Sequence, residues 1–290
     1  MNYINSRSSG IQALQDAADA DYLIAQTAVA VSKDNHVIVI SADTDVLVLL
    51  IHGADSTREK IFLTSESSTG TSKIWDIDQI RKSLGSVVCE NILSVHAFLG
   101  CDTVSRIFGV GKGTGLKIFL KDPDFRQQIS LFSDGNCTQE QISNSGELLM
   151  IMLYGGKKVT SLNQLRASTF HKKLSCNTKA FLPEHLPPTS DASRFHSLRT
   201  YHQVQAWKGI KLPADDWGFI RRGSYLLPKF MSKLPAPDSL MKLIKCNCTT
   251  GCGTKSRCSC RKNNIKCTPM CGTCKGVSCT NHQECVEGEY

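Results

Sequence analysis

No apolar run in the chain is long enough to cross a membrane: the longest, Val46 to Ile51, is flanked by Asp45 and His52 and falls far short of the ~18 residues a spanning helix needs. The N-terminal MNYINSRSSG has neither the apolar centre of a signal peptide nor the Arg-rich amphipathic pattern of a transit peptide, so a cytosolic or nuclear location is expected. Internal repeats and low-complexity tracts are lacking too. Acidic residues are missing altogether between Lys245 and Cys279, and apolar residues are scarce there, so that stretch can build neither a neutral surface nor a hydrophobic core.

What the chain has in quantity is cysteine, unevenly placed. Ten of the fourteen cysteines fall between Cys246 and Cys285, while Cys89, Cys101, Cys137 and Cys176 are scattered. Without an export signal the thiols stay reduced, and a cluster this dense points to metal rather than to disulfides. With 290 residues, 41% of them hydrophobic and 21% charged, the chain can bury one sizeable core and still carry a second module. Its net charge of +8 favours polyanionic partners.

The apolar pattern from Gln12 to Leu120 is α/β. Expected are a helix over Ile11–Val31, strands over His36–Ser41, Val46–Ile51 and Lys60–Leu63, a helix over Asp76–Leu84 and another over Cys89–Leu99. Continuously apolar strands alternating with helices imply a parallel sheet covered on both faces. Helices dominate from there to Tyr154. Seven of the nine prolines then lie between Pro183 and Pro237. Within that stretch Thr189 or Ser190 can cap a helix whose Phe195, Leu198, Tyr201 and Trp207 share a face directed at the α/β core. This reading divides the chain into an α/β domain over 1–155, a proline-rich helical connector over 156–240 and a cysteine module over 241–290.

Nine cysteines of the module, Cys246, Cys248, Cys252, Cys258, Cys260, Cys267, Cys271, Cys274 and Cys279, follow the spacing C-x-C-x3-C-x5-C-x-C-x6-C-x3-C-x2-C-x4-C. Three tetrahedral zinc ions need twelve bonds, and nine thiolates supply them if three of the sulfurs bridge. Such a cluster is formally −3. The seven basic residues Lys245, Lys255, Arg257, Arg261, Lys262, Lys266 and Lys275 leave the module about four charges positive, which suits a phosphate backbone. Without metal it should be unfolded. The stretch CNCTTGCGTKSRCSCRKNNIKCTPMCGTCKGVSC resembles the CXC domain of the tesmin family and of related chromatin proteins. That resemblance implies zinc binding and DNA contact by the basic residues beside the second C-x-C, here Lys255 and Arg257, with Arg261 and Lys262 following it. Family members often carry a tyrosine where this chain has Arg257, so no base preference is implied.

The first half holds an acidic constellation. Asp43 and Asp45 stand in SADTDVLVLL after an apolar strand, where the carboxyl ends of parallel strands place their sites. Asp16 and Asp19 are one helical turn apart in DAADADYLIA, with Asp21 expected to point elsewhere. Asp102 is expected to open a helical segment in HAFLGCDTVSRIFGVGKGTGLKIF, and Gly109, Gly111 and Gly113, with Lys112 among them, to form a tight turn between helices. Carboxylates so grouped can hold two divalent ions, and exposed amides before a helix can hold a phosphate. GVGKGTG has neither Walker nor dinucleotide-binding spacing. Cys101 with His96 could form a nucleophile pair, although a buried structural cysteine is the simpler reading. His171, His185, His196 and His202 lack ligand spacing.

An acidic helix, a strand ending in D-x-D, and GCD followed by a helix-hairpin-helix resemble the flap-endonuclease branch of the PIN-like nucleases, from about Gln12 to Lys121. The likeness implies Asp19, Asp43, Asp45 and Asp102 as Mg²⁺ or Mn²⁺ ligands, with Asp16 as a further candidate, and Gly109 to Gly113 as a duplex-gripping hairpin. The whole order of parts is also similar to mobile-element-like animal proteins. Two departures matter: the family's first strand, which ends in an aspartate, has no counterpart here, and Ala17 stands where the family places an acid. The expected fold is a partial PIN-like parallel sheet with helices and a helix-hairpin-helix, followed by a small zinc-cluster module. The expected function is zinc-dependent DNA binding in the nucleus by a chain whose nuclease-like domain has lost activity. An active structure-specific endonuclease and a protein-interaction scaffold are the alternatives.

Overall fold

The structure, a computed structural model, describes residues 2–6, 11–15, 19–65, 73–156, 159–176, 185–232, 245–249, 251–253, 257–263, 265–267, 271–276 and 279–281. The chain divides into two compact units, residues 1–158 with 193–229, and residues 159–192 with 230–290.

The first unit is mixed α/β. Strands β1 (Asn2–Ser6) and β2 (Ile11–Gln15) form an antiparallel pair. Helix α1 (Ala20–Val31) starts only where Asp19 caps it, the carboxylate accepting from the amides of Asp21 and Tyr22 at 3.1 and 3.2 Å. The single helix expected from Ile11 is therefore a strand followed by a shorter helix. Asp19 precedes that helix as its cap, and Asp16, its expected partner on a helical face, lies outside the described residues.

Strand β3 (Val37–Ile40) leads into α2 (Thr44–Gly53), and here the expectation of a strand over Val46–Ile51 is overturned. Asp43 caps the helix, accepting from the Asp45 amide at 2.8 Å. An apolar run this short reads equally well as buried strand or buried helix. The cap decides locally, and burial of Val46, Val48, Leu49, Leu50 and Ile51 stabilises the outcome by about 1.5–3 kcal/mol per side chain. Strand β4 (Ile61–Ser65) pairs parallel to β3, and β5 (Lys73–Asp76) returns antiparallel to β4. A parallel neighbour needs a crossover of a dozen or more residues, and the link from Ser65 to Lys73 is shorter. The sheet, ordered β3-β4-β5, is thus mixed rather than parallel. One of its faces is open, with Ile38, Ile40 and Ile74 each about two-thirds exposed.

The other face packs on the core. Ala25 and Ala28 of α1 meet Val39, Ile61 and Leu63 of the sheet, the buried side of α2, and Ile77 of α3 (Ile77–Leu84). Leu93 and Ala97 of α4 (Ser86–Leu99) complete the group together with Val204 and Trp207 of α9 (Ser190–Trp207). The packing of α9 on the α/β core is as its apolar face suggests. Three further helices follow α4: α5 (Lys112–Lys121), α6 (Pro123–Ser130), capped by Asp122, and α7 (Gln139–Leu153), which opens with a Thr138/Gln141 capping box. Helices α7 and α9 approach so closely that a Cβ on Gly146 would lie 1.8 Å from Ser197 Oγ. The buried hydroxyls of Ser197 and Thr200 donate to carbonyls one turn back, Ser193 O at 2.8 Å and His196 O at 3.0 Å, so both are paired. Strands β6 (Phe219–Arg222) and β7 (Tyr225–Pro228) form a hairpin.

The second unit holds α8 (Leu162–Cys176), the cap of α9, where Thr189 Oγ1 accepts from the Ala192 amide at 3.1 Å, and the cysteine module. Among the described residues of that module, the regular structure is a single helical turn, Ser259–Lys262. No helix of the described residues is long and apolar enough to cross a membrane.

Candidate functional site

In the second unit the cysteine sulfurs form the core. Cys246, Cys252, Cys258, Cys260, Cys267, Cys271, Cys274 and Cys279 are buried in one cluster, with Cys248 half-buried against it. The Sγ of Cys246 lies 3.7 Å from that of Cys252, 3.8 Å from that of Cys267 and 3.9 Å from that of Cys274. Cys258 and Cys267 are 3.9 Å apart, and Cys260 and Cys271 3.5 Å. Three overlapping tetrads have all their sulfurs within 4.8 Å of one another: Cys246, Cys248, Cys252 and Cys258; Cys246, Cys252, Cys267 and Cys274; and Cys246, Cys258, Cys260 and Cys267. Each pair of tetrads shares Cys246 and one other sulfur. Cys271 and Cys279 belong to none of the three sets but abut them, Cys271 through Cys260 and Cys279 through Cys252, Cys267 and Cys274.

This donor set fits zinc. Burial pushes the Cys246 thiol up to about 12 and raises Cys252, Cys260 and Cys267 as well. In Cys258 and Cys274 burial acts the same way but is overcome. The Arg261 amide helps to bring Cys258 below its usual value, and the Gly276 amide, together with neighbouring thiols, brings Cys274 to about 7. Thiols packed this closely cannot all ionise in the absence of a cation, because each thiolate repels the next. A soft divalent ion held by four sulfurs removes that conflict, and zinc with thiolate ligands is the usual solution. The backbone cooperates: Lys275 (φ 50°) and Gly276 (φ 71°) make a left-handed turn beside Cys274, and the Gly272 amide donates to Cys246 O at 2.8 Å.

The cationic residues around the cluster divide into two groups. Lys245, Arg257, Lys262, Lys266 and Lys275 are exposed on its surface. Arg261 is half-buried, its Nη2 donating to Thr280 O at 2.9 Å and to Thr280 Oγ1 at 3.3 Å, so it serves the knot. Lys255 lies outside the described residues, as do His282 and Cys285.

In the first unit the acidic residues gather at the carboxyl end of β3 and the amino ends of α1 and α2. Burial, followed by the charges of Asp43, Asp19, Asp45 and Asp102, raises the carboxyl of Asp21 above its usual value. Asp21 thus belongs to the group from which its helical spacing excluded it. Period-two spacing suggests that Asp43 and Asp45 lie on one side of an extended segment, whereas they are the cap and second residue of a helix. Asp102 sits in a turn bridged by Cys101 and Val104, and the next helix begins ten residues later at Lys112.

Several of these carboxylates are already committed. Asp19 Oδ1 caps α1 and its Oδ2 accepts from Trp207 Nε1 at 3.1 Å. Buried Asp45 accepts from His96 Nε2 at 2.6 Å. Lys112 Nζ lies 3.2 Å from His96 Nδ1 and 3.3 Å from Nε2, so the ammonium sits against the ring rather than in line with one nitrogen. Burial lowers the His96 imidazole from its usual value, the Asp45 contact opposes this, and the Lys112 ammonium adds to the lowering. A neutral ring then donates through Nε2 to Asp45. Among the described residues, the groups of metal-ligand type that converge within 4.8 Å are cysteine tetrads.

Gly109 (φ 76°) and Gly111, the N-cap of α5, precede that helix, while Gly113 lies inside its first turn. The turn between two adjoining helices is not formed, since α4 ends at Leu99. A Cβ at any of the three glycines would meet nothing within 4 Å, so this surface is open. Cys101 contacts Thr103 Oγ1 at 3.5 Å and burial raises its thiol, while His96 is engaged elsewhere, so they make no nucleophile pair. His196 is a core residue bonded to Phe98 O at 2.8 Å. Two residues that sequence reasoning passed over are Trp207, the partner of Asp19, and Asn281, which touches Cys267. Only the position of Asn281, two residues after the ninth cysteine, could have signalled it. No family model, curated protein or solved structure matches the chain.

Proposed function

We propose that this chain is a zinc-dependent, DNA-binding protein of the nucleus, in which the cysteine module holds the metal and contacts the phosphate backbone. One observation carries the reading: a core made of buried thiols under a surface where Lys245, Arg257, Lys262, Lys266 and Lys275 stand exposed with no acidic residue in the intervening sequence. The metal gathers the sulfurs, and the cations left outside neutralise phosphates and release counterions. The likeness to the CXC domain supports the same conclusion and the three-ion, nine-cysteine stoichiometry. In the first unit the nuclease-like acids Asp43, Asp45, Asp19 and Asp102 are a relic, because two of them are engaged by Trp207 and His96.

A second reading, a metal-dependent endonuclease delivered by its zinc module, is favoured by the gathering of Asp43, Asp19, Asp45 and Asp102 around Asp21. Both readings are tested by zinc analysis of the purified chain and gel-shift over a salt series. Incubation of a labelled branched duplex with Mg²⁺ or Mn²⁺ runs in parallel, with Asp43→Ala/Asp102→Ala as the control. Zinc with salt-sensitive binding and no cutting is the expected result. Cutting that disappears in the double variant establishes the enzyme instead, and zinc without DNA binding leaves a protein-interaction scaffold.

A further inference from the structure

We propose that Asn281 is a positioning residue of the zinc cluster, holding the Cys267 sulfur in place from outside the cysteine repeat. The inference rests on the zinc reading of the module. Asn281 is a buried polar side chain, 7% exposed, in a module with little hydrophobic core to hold it. Its contacts converge on one ligand from both sides of the peptide chain. The Cys267 amide donates to Asn281 O at 2.7 Å, and Asn281 Nδ2 donates to Ile265 O at 2.8 Å and to Cys267 Sγ at 3.5 Å. A carbonyl oxygen can only accept, so the atom facing Ile265 is the amide nitrogen, and the N–H groups of that nitrogen serve both partners.

Cys267 is a sulfur for which such support matters, because it belongs to two of the three tetrads and is the second sulfur, with Cys246, that this pair shares. A thiolate bridging two ions must keep a single position to serve both, and an N–H donor directed at it fixes that position and disperses its remaining charge. Partners of this kind outside the ligand set typically tune affinity by 10–100-fold. The neighbouring Thr280 is anchored independently, through the Arg261 side chain. The two-residue segment after the ninth cysteine is thereby tied to the loop of the second C-x-C and to Cys267, and it closes the knot.

The test uses the full chain loaded with zinc. Wild-type zinc content is measured first, by elemental analysis; absence of zinc there defeats the zinc reading itself, independently of any result for Asn281. Asn281→Asp, which keeps the shape but replaces the donor, and Asn281→Ala are then compared with Thr280→Val, which leaves the backbone acceptor for Arg261. Site-resolved alkylation by N-ethylmaleimide, read by peptide mass spectrometry, reports each cysteine separately, and zinc transfer to a chromogenic chelator reports affinity. The expected result is about tenfold or faster alkylation at Cys267 in both Asn281 variants, with zinc held 10–100-fold more weakly and with Cys260 and Thr280→Val close to wild type. Unchanged Cys267 reactivity overturns the proposal. So does a uniform rise at all nine cysteines, or complete loss of zinc in both variants, since either describes general unfolding of the module.

Discussion

Replacing Cys246 by serine is the substitution to which the metal centre should be most sensitive. Any two of the three tetrads have Cys246 in common, whereas Cys248 belongs to one only. A structural zinc ion contributes about 10–16 kcal/mol when bound, so one ligand of four is worth roughly 2.5–4 kcal/mol. That is a weakening of about 10²–10³ for each ion affected, at 1.4 kcal/mol per tenfold. With each bridging sulfur joining two ions, Cys246→Ser therefore weakens two ions together. Cys248→Ser weakens a single ion and leaves the others near wild-type affinity. Titration of the zinc-loaded proteins with a chromogenic chelator separates the two cases, as early release of two ions for Cys246→Ser against one for Cys248→Ser. Superimposable release curves would refute the sharing of Cys246 among the ions.

Three further outcomes are expected. Burial lowers His196 to about 4. A depressed histidine contributes stability that is complete above its unfolded pKa of about 6.5 and is lost as pH falls toward 4. Chemical denaturation at pH 7 and pH 4 should therefore show a loss of about 3 kcal/mol from this group, and His196→Gln should flatten that limb. Gly146→Ala should destabilise the first unit by about 2–3 kcal/mol, since its Cβ meets Ser197 Oγ and Cβ at 1.8 and 2.5 Å; addition of Ser197→Gly should restore part of the loss in thermal unfolding. Lys262→Ala with Lys266→Ala should reduce the slope of log affinity against log salt in DNA binding by about one for each phosphate no longer neutralised, and an unchanged slope would place the DNA contact elsewhere.

The clustering of the cysteines was legible from their spacing alone because they lie close along the chain and the module has little besides them to fold around. Strand β3, helices α3 and α4 and the α9 face were legible for a similar reason: local periodicity and caps such as Asp76 and Thr189 act within a few residues. By contrast Val46–Ile51 carries no period, and its helix is decided by the Asp43 cap and by burial against α1 and α4. The alliance of Asp21 with Asp43, Asp45 and Asp102, the engagement of Asp19 by Trp207, and the Asp45–His96–Lys112 chain join residues far apart in sequence. Only packing brings them together, so no local pattern announces them. The amino-acid sequence by itself determined where sulfur and positive charge accumulate; the tertiary structure decided which sulfurs lie against one another, which cations face outward, and which carboxylates are already bound to a neighbour.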